Sequence, residues 1–197
     1  MNHNLKNDEP KNRVIFADSY EKINCIISKD VAEGSLAIAN MIADEIRNKQ
    51  REGKQCVLGL ATGSTPKTVY AELVRMHKME GLSFKNVISF NLDEYYPIQK
   101  NAPQSFHSYM NRHLFSHIDI LQENINIPEG MLSHEDAKKH AEDYENKIAA
   151  LGGIDIQILG IGLNGHIGFN EPGSGMFSKT RLVKLTHSTR QIGRAHV

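Results

Sequence analysis

The sequence predicts an α/β domain built on a mostly parallel β-sheet with helices on both faces. Of three short runs at 55–60, 87–91 and 154–160 that read as strands, the first two are apolar throughout most of their length and lack polar alternation, as strands buried on both faces do. Helical periodicities separate the runs. Each run leads at once into a glycine-rich or polar segment, and in a parallel sheet such segments collect at the carboxyl edge, where ligands bind.

The elements follow in order. Residues 1–13 are polar and cannot repay the cost of ordering, so they form a mobile tail within an amino-terminal extension, 1–27. Ser28 is the expected N-cap of a first helix whose buried face carries Val31, Ile38, Ile42 and Ile46, with Gly53 ending it. After the strand at 55–60, Thr65-Pro66 supplies an N-cap and a first-turn proline. The helix that follows has Val69, Leu73 and Met76 as its stripe and runs to about Lys78. The strand at 87–91 comes next, then helices at 105–116 and 133–151, the strand at 154–160, and a further extended segment at 181–185.

Composition narrows the function. With 197 residues, 40% of them hydrophobic, the chain can bury one continuous core. Lys+Arg and Asp+Glu both total 23, so there is no basic field for a nucleic acid and no charge bias towards a membrane surface. No apolar stretch reaches the roughly 18 to 20 residues a bilayer crossing needs, and the polar start is not a signal peptide, so a cytoplasmic location is expected. Cys25 and Cys56 read as reduced core residues.

Three segments carry chemistry. The loop at 61–65 joins a buried strand to a capped helix, where backbone N–H groups and the positive helix end converge. A phosphate held by amides around Gly63 to Thr65 and by the hydroxyls of Ser64 and Thr65 would fit; the same residues also make an ordinary turn. No P-loop pattern or G-x-G-x-x-G is present, so no nucleotide is implied. After the second strand, Asp93 and Glu94 emerge at the same edge. Adjacent residues point opposite ways, so one of them faces the ligand and could move a proton on a carbon next to a carbonyl; a solvated, helix-capping loop is the alternative. The third segment, LGIGLNGHIGFNEP at 159–172, sets His166 among Asn164, Asn170 and Glu171, with Gly160, Gly162, Gly165 and Gly168 letting the backbone fold closely around a ligand. A histidine beside a carboxylate suits acid/base work near neutral pH. His107, His113 and His117 lack a zinc-site pattern and read as surface residues, and Tyr95, Tyr96, Phe106, Tyr109 and Phe115 read as packing groups.

In this order and spacing, LGLATGSTP at 58–66, SFNLDEY at 89–95 and the third segment resemble the glucosamine-6-phosphate deaminase family, from about residue 29 to 191. The resemblance implies a Rossmann-like sheet in one domain, 28–191, and a cofactor-free, metal-free conversion of an amino-sugar phosphate. Asp93 matches the base that moves a proton from C2 to C1 through an enolamine. His166 matches the ring-opening group, with Glu171 and Asn164 orienting it, and Thr62, Gly63, Ser64, Thr65 and Gly165 match substrate-binding positions. Asn164 stands where some members have Asp, so Glu171 is expected to supply most of the charge support for His166. Ser174 and Arg181 match an allosteric site of some members, but Val183 replaces its lysine, so that regulation is not expected. The family continues beyond residue 191 to an Arg and a Lys that hold phosphate, whereas Ala195 stands where the Arg would align. One back-translation of the last seven residues reads as a sequencing adaptor, so 192–197 is expected to be non-native, the domain incomplete at its carboxy terminus and the chain poorly active. A homo-oligomer is expected at full length. The alternatives are a 6-phosphogluconolactonase-like hydrolase and a non-catalytic sugar-phosphate sensor.

Overall fold

The computed structural model describes residues 24–187, 189 and 190. Residues 1–13 and 192–197, for which a mobile tail and a non-native end are expected, lie outside the described residues. Helix α1, Val31–Arg51, leads to strand β1, Cys56–Leu60, and helix α2, Pro66–Glu80, to strand β2, Val87–Asn91. Helix α3, Phe106–His113, and strand β3, Ile125–Asn126, precede helix α4, His134–Ala150, and strand β4, Ile156–Gln157. The four strands lie in the order β3-β2-β1-β4 and every pairing is parallel, from Cys56 opposite Val87 to Leu60 opposite Asn91 in the centre. Because the strand order reverses beside β1, the loops leaving β1 and β4 diverge and open a crevice at the carboxyl edge.

Alternation along the strands divides the core in two. Cys56, Leu58, Leu60 and Val87 face α1, α2 and α3, packing on Ala39, Ile42, Ile46, Tyr70, Leu73 and Met110. Val57, Ile88 and Phe90 point the other way, onto Tyr144 of α4. Helices therefore cover both faces, as expected. Each fully buried aliphatic side chain contributes about 1.5–3 kcal/mol, which makes the two five-residue strands the firm centre of the molecule. The Tyr144 hydroxyl donates to the carbonyls of Asn91 (2.9 Å) and Asn126 (3.0 Å), tying α4 across β2 and β3.

Several expectations change. The N-cap of α1 is Asp30, not Ser28: its Oδ1 accepts from the Glu33 amide (2.9 Å) while Glu33 reaches back to the Lys29 amide, a reciprocal cap that Ser28 cannot match. Ile42 and Ile46 are buried, but Val31 is 70% exposed and Ile38 42%; Ser35, Ala39 and Ala43 take the inner face instead. Small residues let α1 approach α2 closely enough for the Ser35 and Thr68 hydroxyls to bond at 2.6 Å. Cys25 is exposed and only Cys56 is buried, where burial pushes its thiol up to about 12. The helix expected at 105–116 ends at His113 and gives way to a 3₁₀ turn, Phe115–His117. His107 and His113 are half-buried rather than on the surface, and burial lowers the pKa of both.

The strand expected at 154–160 shortens to two residues, and 181–185 forms none. Among the described residues β4 has β1 as its one neighbour, so Leu159 and Ile161 stay 51% and 80% exposed and nothing holds the run extended. β3 was not anticipated; two half-buried residues leave almost no periodic signal. No described helix is long and apolar enough to cross a membrane.

Candidate active site

The three segments singled out by sequence all leave the carboxyl edge of the sheet. The first is pinned from behind at two points. The buried Tyr70 hydroxyl of α2 donates to the Ala61 carbonyl, and the Tyr109 hydroxyl of α3 donates to the Gly63 carbonyl at 2.6 Å. Gly63 takes φ +113°, which a side chain would resist, although space for a Cβ is open. Thr65 occupies the N-cap position of α2 in helical conformation and its side chain does not cap, contrary to expectation. Among the described residues the amides of Gly63, Ser64 and Thr65 donate to nothing, and the exposed hydroxyls of Ser64 and Thr65 are likewise uncommitted. Uncommitted amides at the positive end of a 15-residue helix form an anion cradle.

The acidic pair splits as alternation requires. Glu94 turns inward: its Oε1 accepts from the amides of Tyr95 (2.8 Å) and Phe106 (2.9 Å), and its Oε2 from that of His107 (3.1 Å). With Ser105 Oγ accepting from the Ser108 amide (3.0 Å), the opening N–H groups of α3 are satisfied. Asp93 turns the other way, into the crevice against Gly168, where an added Cβ would lie 3.2 Å from its Oδ2. Burial, and secondarily the Glu94 charge, push the Asp93 carboxyl up to about 7.

The third segment folds on itself through bridges from Ile167 to Ile161 and Asn170. Gly162 leaves room for the imidazole, since a Cβ there would lie 2.1 Å from the His166 ring. The ring Nδ1 sits 2.6 Å from Asn164 Oδ1, whose amide in turn donates to Glu171 Oε2 at 2.9 Å. Glu171 Oε1 accepts from both the amide and the hydroxyl of Thr186, each at 3.1 Å. The expected support of His166 by Glu171 runs through a relay: the carboxylate fixes the amide, and the amide carbonyl, an acceptor, fixes the proton on Nδ1 and leaves the Nε2 lone pair outward. Hydrogen bonds from Thr189, the Thr186 amide, Asn164 and the Thr186 hydroxyl hold Glu171 down to about 2, so it stays ionised at any working pH. Gly165, at φ +83°, makes the turn before the histidine.

Aromatic rings join the pieces. Phe169 packs on Tyr95 (5.1 Å between centroids) and Phe106 (5.6 Å), and those two on each other at 4.8 Å, so the His166 segment rests on the Asp93 segment and on α3. A cavity of about 880 Å³ opens beside Asp93, with Phe169, Asn170, Lys179 and Arg181 among its walls. Arg181 donates to Asn170 Oδ1 and Ser174 Oγ, both at 3.2 Å, so two positions matched by the resemblance are tied together. Sequence reasoning left the role of Glu94 open and took Tyr109 for a packing group only, because the Phe106 and His107 amides and the Gly63 carbonyl they meet lie 12, 13 and 46 residues away. Among the described residues no three His, Cys, Asp or Glu side chains gather closely enough to hold a metal ion.

Comparison with known proteins gives a consistent picture. The family model described as glucosamine-6-phosphate isomerases/6-phosphogluconolactonase matches residues 29–191. A glucosamine-6-phosphate deaminase of Bacillus velezensis is 47% identical over 169 residues, 86% of this chain and 68% of the relative. A glucosamine-6-phosphate deaminase-like protein of Bacteroides thetaiotaomicron is also 47% identical, over 170 residues that make up 86% of this chain but 26% of that longer protein. A solved monomeric glucosamine-6-phosphate deaminase superposes with a TM-score of 0.78 at 44% identity, over 83% of this chain and 66% of that one. The chain thus spans about two thirds of the deaminases it matches and a quarter of the longer protein.

Proposed function

The chain belongs to the glucosamine-6-phosphate isomerase/6-phosphogluconolactonase family, and from that premise we propose that its protein converts D-glucosamine 6-phosphate and water into D-fructose 6-phosphate and ammonia. The observation that carries the proposal is Asp93: a carboxyl raised to about 7, on the crevice side of a rigid strand end whose paired neighbour leads into an uncommitted anion cradle. A group that titrates near neutrality can take a proton as carboxylate and return it as acid.

The phosphate lies on the amides of Gly63, Ser64 and Thr65, with Thr62 and Gly165 beside the sugar. His166 Nε2 takes the proton of the anomeric hydroxyl and passes it to the ring oxygen, opening the ring; Asn164, itself held by Glu171, keeps the imidazole in the tautomer this needs. Asp93 removes the C2 proton, giving an enolamine, and returns it to C1. Water then adds at C2 and ammonia departs, leaving the ketose. A lactonase would have no use for a carbon base, and the relatives at 47% identity are named for the deaminase. The substrate's charge bars it from crossing a bilayer unaided, which supports a cytoplasmic site of action.

The test is ammonia release from glucosamine 6-phosphate, with deuterium in the solvent. Label at C1 of fructose 6-phosphate, lost in Asp93→Asn, supports the proposal. Binding of the sugar phosphate with no release of ammonia would sink it in favour of a sensor. Homo-oligomerisation, expected from the resemblance, is checked separately by sedimentation.

A further inference from the structure

Helix α3 touches both halves of the proposed site, yet none of its residues stands among those expected to meet substrate. Its amino-terminal amides end on Glu94, the neighbour of Asp93, through bonds of 2.9 and 3.1 Å. One turn on, the Tyr109 hydroxyl donates 2.6 Å to the Gly63 carbonyl at the centre of the phosphate loop. Met110, fully buried, fixes the helix in the core between these ends, and Phe106 packs on Tyr95. Lys67, on the first turn of α2, stands 5.9 Å over the Tyr109 ring and completes the contact between the two helices. Glu94 accepts three amide bonds, which occupies its oxygens and disqualifies it as a second carbon base.

We propose that Glu94 and Tyr109 are positioning residues that act through α3 as a strut, fixing the span between Asp93 and the phosphate loop. The inference rests on the deaminase reading above. A substrate held by its phosphate at one end must present C2 to a carboxylate at the other, and a misplacement of about 1 Å can cost a hundredfold in rate. Neither loop sets that span alone, because each leaves a different strand. The helix bonded to both does. Cutting either bond frees one end of the strut, and cutting the second then changes little more.

The experiment is a double-mutant cycle on ammonia release, using the protein as it stands, Tyr109→Phe, Glu94→Gln and the double variant. Each single change is expected to lower kcat/KM about tenfold, and the double variant also by about tenfold rather than a hundredfold. Losses that multiply, or a single variant within about twofold of the parent, overturn the strut. Should Glu94→Gln fail to fold, Tyr109→Phe decides alone. A fall in kcat at saturating substrate supports a misplaced base, whereas a rise in KM at unchanged kcat shows a local effect on the loop and overturns it. If the parent chain releases no ammonia but the full-length protein does, the cycle is run in the full-length protein; if neither does, the deaminase reading fails and the same cycle is read by calorimetric binding of glucosamine 6-phosphate. Non-additive losses of affinity support the strut, and additive losses or no binding at all overturn it.

Discussion

The two sides of the crevice are built differently. Asp93 and the proposed phosphate loop leave five-residue strands whose residues are all buried, with tyrosine hydroxyls and the half-buried Glu94 carboxylate bracing the turns. His166 leaves a two-residue strand at the side of the sheet, in a segment where Leu163 is 95% exposed, and its position depends on the chain of bonds through Asn164, Glu171 and Thr186. In the proposed reaction, the demanding step, removing a proton from carbon, falls to the rigid side. The proposed proton shuttling between oxygens falls to the side held by a chain of polar bonds and the packing of Phe169.

Asp93→Asn breaks the rigid side with the largest expected effect, a loss of about 10²- to 10⁴-fold in ammonia release. In the parent protein kcat/KM should climb with pH through about 7 as the carboxyl ionises. The sign for stability is opposite. The folded state keeps this proton up to about 7 and the unfolded chain releases it near pH 4, so urea midpoints should fall between those values. Asp93→Asn should flatten that fall, and a midpoint that still drops in the variant would assign it to another group.

Next in size, Leu73→Ala under the central strands should cost about 2–5 kcal/mol in denaturant unfolding, because the residue is fully buried between α2 and the sheet. Gly162→Ala attacks the other side: its Cβ would overlap the His166 ring, so activity should drop about a hundredfold with a much smaller change in stability. Equal loss of stability in these two variants would erase the contrast between the regions. The smallest effect is expected of Leu163→Ala, within about 0.5 kcal/mol.

How much of this was legible in the sequence follows the same division. β2 matches its expected limits and β1 and α2 nearly do, because proline, glycine and dense apolar runs are local signals. The fate of 154–160 depends on neighbouring strands, which no local window contains. Asp93 could be separated from Glu94 by alternation, but not Glu94 from a solvated residue, since the amides it accepts lie 12 and 13 residues onward. The order of the His166 relay was not legible, because spacing cannot tell which of Asn164 and Glu171 touches the ring. On α1 Ile42 and Ile46 are buried as expected but Val31 and Ile38 misled; the rest of the inner face went to serine and alanine, chosen by how closely a second helix approaches.

The bond from the Val57 amide to Asp155 Oδ2 spans 98 residues of sequence, and that from Lys49 to the same carboxylate spans 106. Closing so long a loop has a large entropic cost before any contact offsets it, whereas β1 and β2 meet across a single helix. Assembly should therefore run in two stages, with the central pair and its helices first and β4 docking afterwards. Pulse-labelling hydrogen exchange should find the Leu92 amide, bonded to Leu60, protected before the Ile158 amide, bonded to Gly59. Until that second event the chain would already hold the proposed carbon base and anion cradle, without the histidine proposed to open the ring.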